Sequence, residues 1–186
     1  MRKNVLATAL VLALAAVSQA AFTNFDTGGN QTPATADNIS NNGTLLSNPC
    51  SLSGDSGIGT LAAGDVDFYR LDLTAGCYVN IETTPMTVFP STPDTVLEVL
   101  NSTLTQIAFN DDGGGANGGT NRGSAIHLLI TTSGTYYVGV SGFNDTGFNG
   151  SHTQAGQYLF TVGVSPEPTT LALLGAGLLV LARRRK

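Results

Sequence analysis

The residues with the chemistry to bind an ion lie in two short acidic clusters. In GDVDFYRLDL, Asp65 and Asp67 stand two apart, a spacing that places both carboxylates on one side of an extended strand. In FNDDGGGANGG, Asn110, Asp111 and Asp112 precede a glycine-rich loop. Calcium takes several oxygen ligands, often carboxylates and amide carbonyls carried on loops. Asp65, Asp67, Asp111 and Asp112 are therefore the candidate calcium ligands. Neither cluster is an EF-hand, because the alternating acidic spacing and the closing Glu are missing. Asn, Asp and Gly also serve tight hairpin turns for backbone reasons alone, so turn chemistry stands ahead of the metal reading.

Ser56 lies in SGDSGIG, which over four residues resembles the nucleophile region of trypsin-like serine proteases. That mechanism needs a base and an orienting acid. The only histidines, His127 and His152, both follow Ser56, whereas in that family the base precedes it. No G-x-S-x-G elbow supports an α/β-hydrolase arrangement either. A glycine-rich turn accounts better for the segment, and a serine hydrolase is a remote alternative. Neither histidine has a companion at metal-ligand spacing, so zinc is not supported. His127 falls opposite the apolar phase of its segment and is expected to face solvent.

Export is written at the N-terminus. Arg2 and Lys3 precede an apolar run from Val5 to Val17, and Ser18-Gln19-Ala20 supplies the small residues of a cleavage site. Residues 1–20 thus read as a secretory signal peptide. Cys50 and Cys77 lie in the exported part, where an oxidising compartment favours a disulfide between them. Between residues 21 and 165 stand twelve acids and two cations, a balance of −10 against −5 for the whole chain. Such a body has no cationic footprint for phosphate backbones, which argues against nucleic acid as a partner.

The elements that must position these groups are strands. Apolar residues alternate in AIHLLI (Ile126, Leu128, Ile130), TYYVGV (Tyr136, Val138, Val140) and YLFTVGV (Tyr158, Phe160, Val162, Val164). Further strands are expected over 67–73, 78–83, 95–100 and 105–109, and no sustained helical period appears in the body. The expectation is an all-β fold, a single antiparallel β-sandwich of the jelly-roll kind over 50–165. Residues 21–49, polar and rich in Asn, Thr and Gly, read as an exposed lead-in, part of it lying along the sandwich edge. N-x-S/T sequons, among them Asn38, Asn42, Asn101, Asn144 and Asn149, are as frequent as chance allows in so Asn- and Thr-rich a chain.

The succession GTLAAGDVDFYRLDLTAGCYVNIETT, PDTVLEVLNSTLTQIAFNDDGG, SGTYYVGVSGF and GQYLFTVGV resembles the bacterial pre-peptidase C-terminal domain across residues 59–164. The resemblance implies a jelly-roll-like sandwich with a non-catalytic role, accompanying secreted enzymes or surface proteins, and in some members binding calcium or matrix polymers. Calcium-binding members generally carry an acidic Asn-Asp segment ahead of the first strand. Here that place reads GGNQTPATADNIS, with Asn30 and Gln31 supplying no charge and Asp37 the nearest acid.

The chain closes with PEPTTLALLGAGLLVLARRRK: Pro166, Glu167 and Pro168, an uncharged segment from Thr169 to Ala182, then Arg183, Arg184, Arg185 and Lys186. Residues 166–186 are similar to the PEP-CTERM sorting signal. That likeness implies processing by an exosortase-type membrane protease in a Gram-negative bacterium, often one producing exopolysaccharide. As a helix of ~1.5 Å rise, the apolar segment reaches only ~21 Å of the ~30 Å hydrocarbon layer, which suits a transient transmembrane anchor. Cations at both ends stay cytoplasmic by the positive-inside rule, leaving the body outside. The reading is thus an exported, non-enzymatic surface or extracellular-matrix protein associated with exopolysaccharide, with a calcium-dependent adhesin or structural module binding another protein as the alternative.

Overall fold

A computed structural model describes residues 22–39, 53–87, 91–114 and 122–166. The expected signal peptide, Cys50 and the tail beyond Pro166 lie outside these residues. The described chain forms strands throughout, with one 3-10 turn at Pro33–Thr35. In chain order they are β1 (Phe22–Asn24), β2 (Asp37–Asn38), β3 (Ser53–Leu61), β4 (Asp67–Leu73), β5 (Cys77–Pro85), β6 (Thr95–Leu100), β7 (Gln106–Asn110), β8 (Gly113–Gly114), β9 (Gly123–Ile130), β10 (Gly134–Gly142) and β11 (Gly156–Pro166). The first sheet runs β1-β3-β11-β5-β9-β8 and the second β2-β4-β10-β6-β7.

The two sheets face each other across one core, as the period-two pattern requires. Tyr158, Phe160, Val162, Val79 and Ile81 from the first sheet meet Tyr69, Leu71, Val99, Val138 and Val140 from the second. Each such side chain removed from water stabilises the fold by about 1.5–3 kcal/mol. The ring of Tyr69 stacks on that of Phe160 at 4.4 Å, so the sheets are joined by aromatic contact at the centre. Nearer one end a buried polar lock joins them. The Thr83 and Thr95 hydroxyls lie 2.7 Å apart, and Ser124 Oγ donates to the Thr95 carbonyl at 2.6 Å.

The structure departs from the expectation in three places. The pairing is antiparallel except at the edges, where β1 runs parallel to β3 and β2 parallel to β4. The lead-in is part of the sandwich: it supplies these edge strands and buries Phe25 and Ile39 in the core. The SGDSGIGTL segment is not a turn but the nine-residue strand β3. Gly59 answers a steric need, since a Cβ there would stand 2.3 Å from the ring of Tyr158, its cross-strand partner. Only a residue without a side chain leaves room for that ring.

Candidate functional site

Asp67 is the first residue of β4 and is fully buried. Tyr158 on β11 donates its hydroxyl to Asp67 Oδ2 at 2.5 Å and shares a second hydrogen bond, 2.7 Å, with the Tyr69 hydroxyl. The other carboxylate oxygen, Oδ1, is buried without a partner. Burial drives the Asp67 carboxyl up to about 8, and the charges of Asp26, Asp65 and Asp37 push the same way against the Tyr158 hydrogen bond. Burial likewise holds the two phenols well above their ordinary range. The group at the centre of the acidic neighbourhood is therefore a neutral acid at neutral pH.

The surrounding carboxylates serve the backbone. Asp26 accepts from Gly28 N at 2.8 Å and from Thr60 N at 3.2 Å. Asp37 takes the Thr27 N–H and hydroxyl. Asp65 accepts from Val66 N and from Gln31 Nε2, each at 3.0 Å. These bonds tie the lead-in to β3 and to the entrance of β4. The spacing of Asp65 and Asp67 suggests one shared face, but Asp65 precedes the strand and is half-exposed while Asp67 points into the core. Calcium needs several converging oxygens, and among the described residues no group of three His, Cys, Asp or Glu side chains is placed to hold a metal ion. The donors near Asp67 do not fit a calcium shell.

Asp111 and Asp112 sit after β7, well apart in sequence from this neighbourhood. Asn110 Oδ1 accepts from Asp112 N at 2.8 Å and from Ala125 N at 3.3 Å, which is the turn chemistry the sequence permits. Burial, with Asp112 beside it, raises the Asp111 carboxyl.

Ser56 is paired with Thr161 on β11. His127 stands on β9, and β11 and β5 lie between the two strands, a separation of about 14 Å at the usual strand spacing. His152 uses its ring nitrogens on the Asp65 carbonyl and the Gln154 N–H. Neither imidazole reaches Ser56, so the serine-hydrolase constellation does not form.

A different surface stands out on the solvent side of the first sheet. Tyr78 on β5 and His127 on β9 stack face to face, centroids 4.7 Å apart and planes within 15°. Asn80, directly opposite His127 in the register, hydrogen-bonds its Nδ1 through Oδ1. Gly163 and Ser165 of β11 lie beside Asn80 and Tyr78, so small residues flank the aromatic pair. Glu82 is the one charged group among the outward residues of β5, β9 and β11. Neither residue forms a motif in sequence; only the pairing of β5 with β9, two strands some fifty positions apart, brings Tyr78 and His127 together.

The second sheet carries a cover on its outer side. Phe148 packs with Val66, Phe68, Val96 and Leu100. Asp145 fastens that loop, accepting from Ser141 Oγ at 2.6 Å, Gly150 N at 2.8 Å and Asn149 N at 3.0 Å. Burial alone would raise the Asp145 carboxyl, but those hydrogen bonds and nearby His152 more than offset it and hold it below its ordinary value.

A two-sheet sandwich with a bonded N-terminal lead-in and no assembled catalytic group among the described residues defines a β-sandwich module. Residues 65–142 match the family described as the bacterial pre-peptidase C-terminal domain, and residues 166–186 match the PEP-CTERM protein-sorting motif. The chain carries both: a pre-peptidase C-terminal domain, whose sandwich extends past the match at either end, and the sorting motif of an exported protein handled by an exosortase. No curated protein sequence matches the chain. Among solved structures it is similar to PliG, a periplasmic inhibitor of g-type lysozyme from Aeromonas hydrophila, at 15% identity, covering 64% of this chain and 91% of that one, TM-score 0.41. It is also similar to the pre-peptidase C-terminal domain of collagenase from Bacillus anthracis, at 13% identity, covering 59% and 87%, TM-score 0.39.

Proposed function

We propose that this chain is a non-catalytic surface or matrix protein that is anchored briefly by its tail, freed by exosortase-type processing, and retained in exopolysaccharide through the outer face of its first sheet. The observation that carries the reading is the Tyr78–His127 stack beside Asn80. Flat rings pack against the apolar face of a sugar, and amide and hydroxyl groups on a rigid sheet supply the hydrogen bonds that orient it. Among the described outward residues of β5, β9 and β11 there is no lysine or arginine, and the body bears a balance of −10. Uronic acid polymers are repelled by such a surface, so the partner is a neutral polysaccharide. The proposed Cys50–Cys77 bridge suits the same extracellular setting. Cys77 opens β5 in the core, and no cysteine among the described residues is free.

Fractionation of the producing cell tests this. The protein is expected with the extracellular polysaccharide, released when the polymer is enzymatically degraded, with an intact mass that begins near Ala21 and ends near Pro166. Recovery of the full-length chain in the membrane, unaffected by polymer degradation, would overturn it.

A further inference from the structure

Sheet edges expose unpaired backbone groups, and proteins protect them by keeping them short, charged or covered. Three of the four edges here obey: β1 has three residues, β2 two and β8 two. The fourth, β7, has five, and among the described residues it pairs only with β6. It carries no Lys, Arg or Pro. Ile107 is 40% and Phe109 41% exposed, and Leu104, in the turn before the strand, is 55% exposed at φ 58°. A large apolar residue held in solvent in the left-handed region gains nothing within its own fold. Phe109 is held ready by an edge-to-face contact with Phe148, centroids 6.3 Å apart.

We propose that β7 is the edge through which two copies of this chain associate, strand against antiparallel strand, joining their second sheets across a two-fold axis. The sequence of β7 complements itself. A pairing centred on Ala108 sets Ile107 of one copy opposite Phe109 of the other, and Gln106 opposite Asn110, so apolar meets apolar and amide meets amide. Charge points the same way. A body with a balance of −10 repels its twin, yet β7 itself is uncharged, with Asp111 and Asp112 just beyond its end, so the pairing sets no two carboxylates directly opposite each other. The register shift opposite Val99 and Leu100 leaves Ile107 as an extra residue beside Gln106. Such a bulge twists the strand and keeps the pairing to the few residues around Ala108. A contact of that length falls below about 1,200 Å² and makes a concentration-dependent dimer rather than a permanent one.

Sedimentation equilibrium of the mature protein over about a hundredfold range of concentration tests the proposal. The weight-average mass should rise from one chain toward two, and more readily at high salt, which screens the acidic bodies. Ile107→Lys should remain monomeric with the wild-type melting temperature, and Phe109→Lys, which also loses its contact with Phe148, monomeric with a somewhat lower one, while Ala63→Lys, which adds the same charge at an exposed turn, should dimerise as before. Backbone amides of Gln106–Asn110 should exchange more slowly as wild-type concentration rises, a readout that needs no variant. A monomer at every concentration and salt, growth beyond the dimer, or a dimer indifferent to both β7 lysines would overturn the assignment.

Discussion

The hydroxyl of Tyr158 lies 2.5 Å from Oδ2 of Asp67, and both groups are sealed from solvent. A phenol that donates to a neutral carboxyl, and is itself joined to Tyr69, satisfies most of a polar chain laid through the sandwich core without burying a charge.

Stability should therefore fall as pH rises. The Asp67 carboxyl titrates at about 8 in the fold and at its ordinary 3.8 when exposed. Between these values the folded state holds a proton that the unfolded state has lost, so stability is greatest at the acid end. It declines by up to about 1.4 kcal/mol per unit from this group. Asp67→Asn keeps a neutral acceptor for Tyr158 and should flatten the slope of melting temperature between pH 5 and pH 8.5. An unchanged slope would place the dependence in other groups.

Calcium at millimolar concentration should leave the melting temperature at pH 7 within error, because the carboxylates around Asp67 are already engaged by backbone N–H groups and Asp67 carries a proton. Stabilisation that EDTA reverses would show that these side chains rearrange around a cation.

Asp145→Ala strips three donors of one acceptor and should cost about 2–3 kcal/mol. The lost contacts would uncover Phe148 and the outer apolar cluster, so bis-ANS binding should rise while the far-ultraviolet spectrum of the sheets stays unchanged. Because the Asp145 carboxyl is held below its ordinary value, its contribution is present above about pH 4 and is lost as pH falls further. This sign is opposite to that of Asp67.

The proposed Cys50–Cys77 bridge would close a loop of modest length, and removing it should then cost about 3 kcal/mol. Chemical denaturation with and without reductant gives that difference; identical midpoints would mean no bridge.

The strands with one buried face were legible in sequence, and β5 and β11 follow their alternation closely. β6 was also found, but every one of its residues is buried, because the Phe148 loop covers the side that alternation assigns to solvent. β3 was hidden by composition: Gly, Ser and Asp favour turns locally, and only the bulk of Tyr158 across the register explains glycine in a strand. Asp67 looked like a surface ligand because spacing gives the side of a strand and not its depth. The Tyr78–His127 stack had no local signal at all, since it arises from strand pairing.

Affinity electrophoresis in gels containing the producing organism's neutral exopolysaccharide most directly tests the central claim. The mature wild type should be retarded relative to a polymer-free gel, and a Tyr78→Ala/His127→Ala double variant with unchanged melting temperature should not. Absence of retardation in the wild type, or equal retardation of both proteins, would contradict the account.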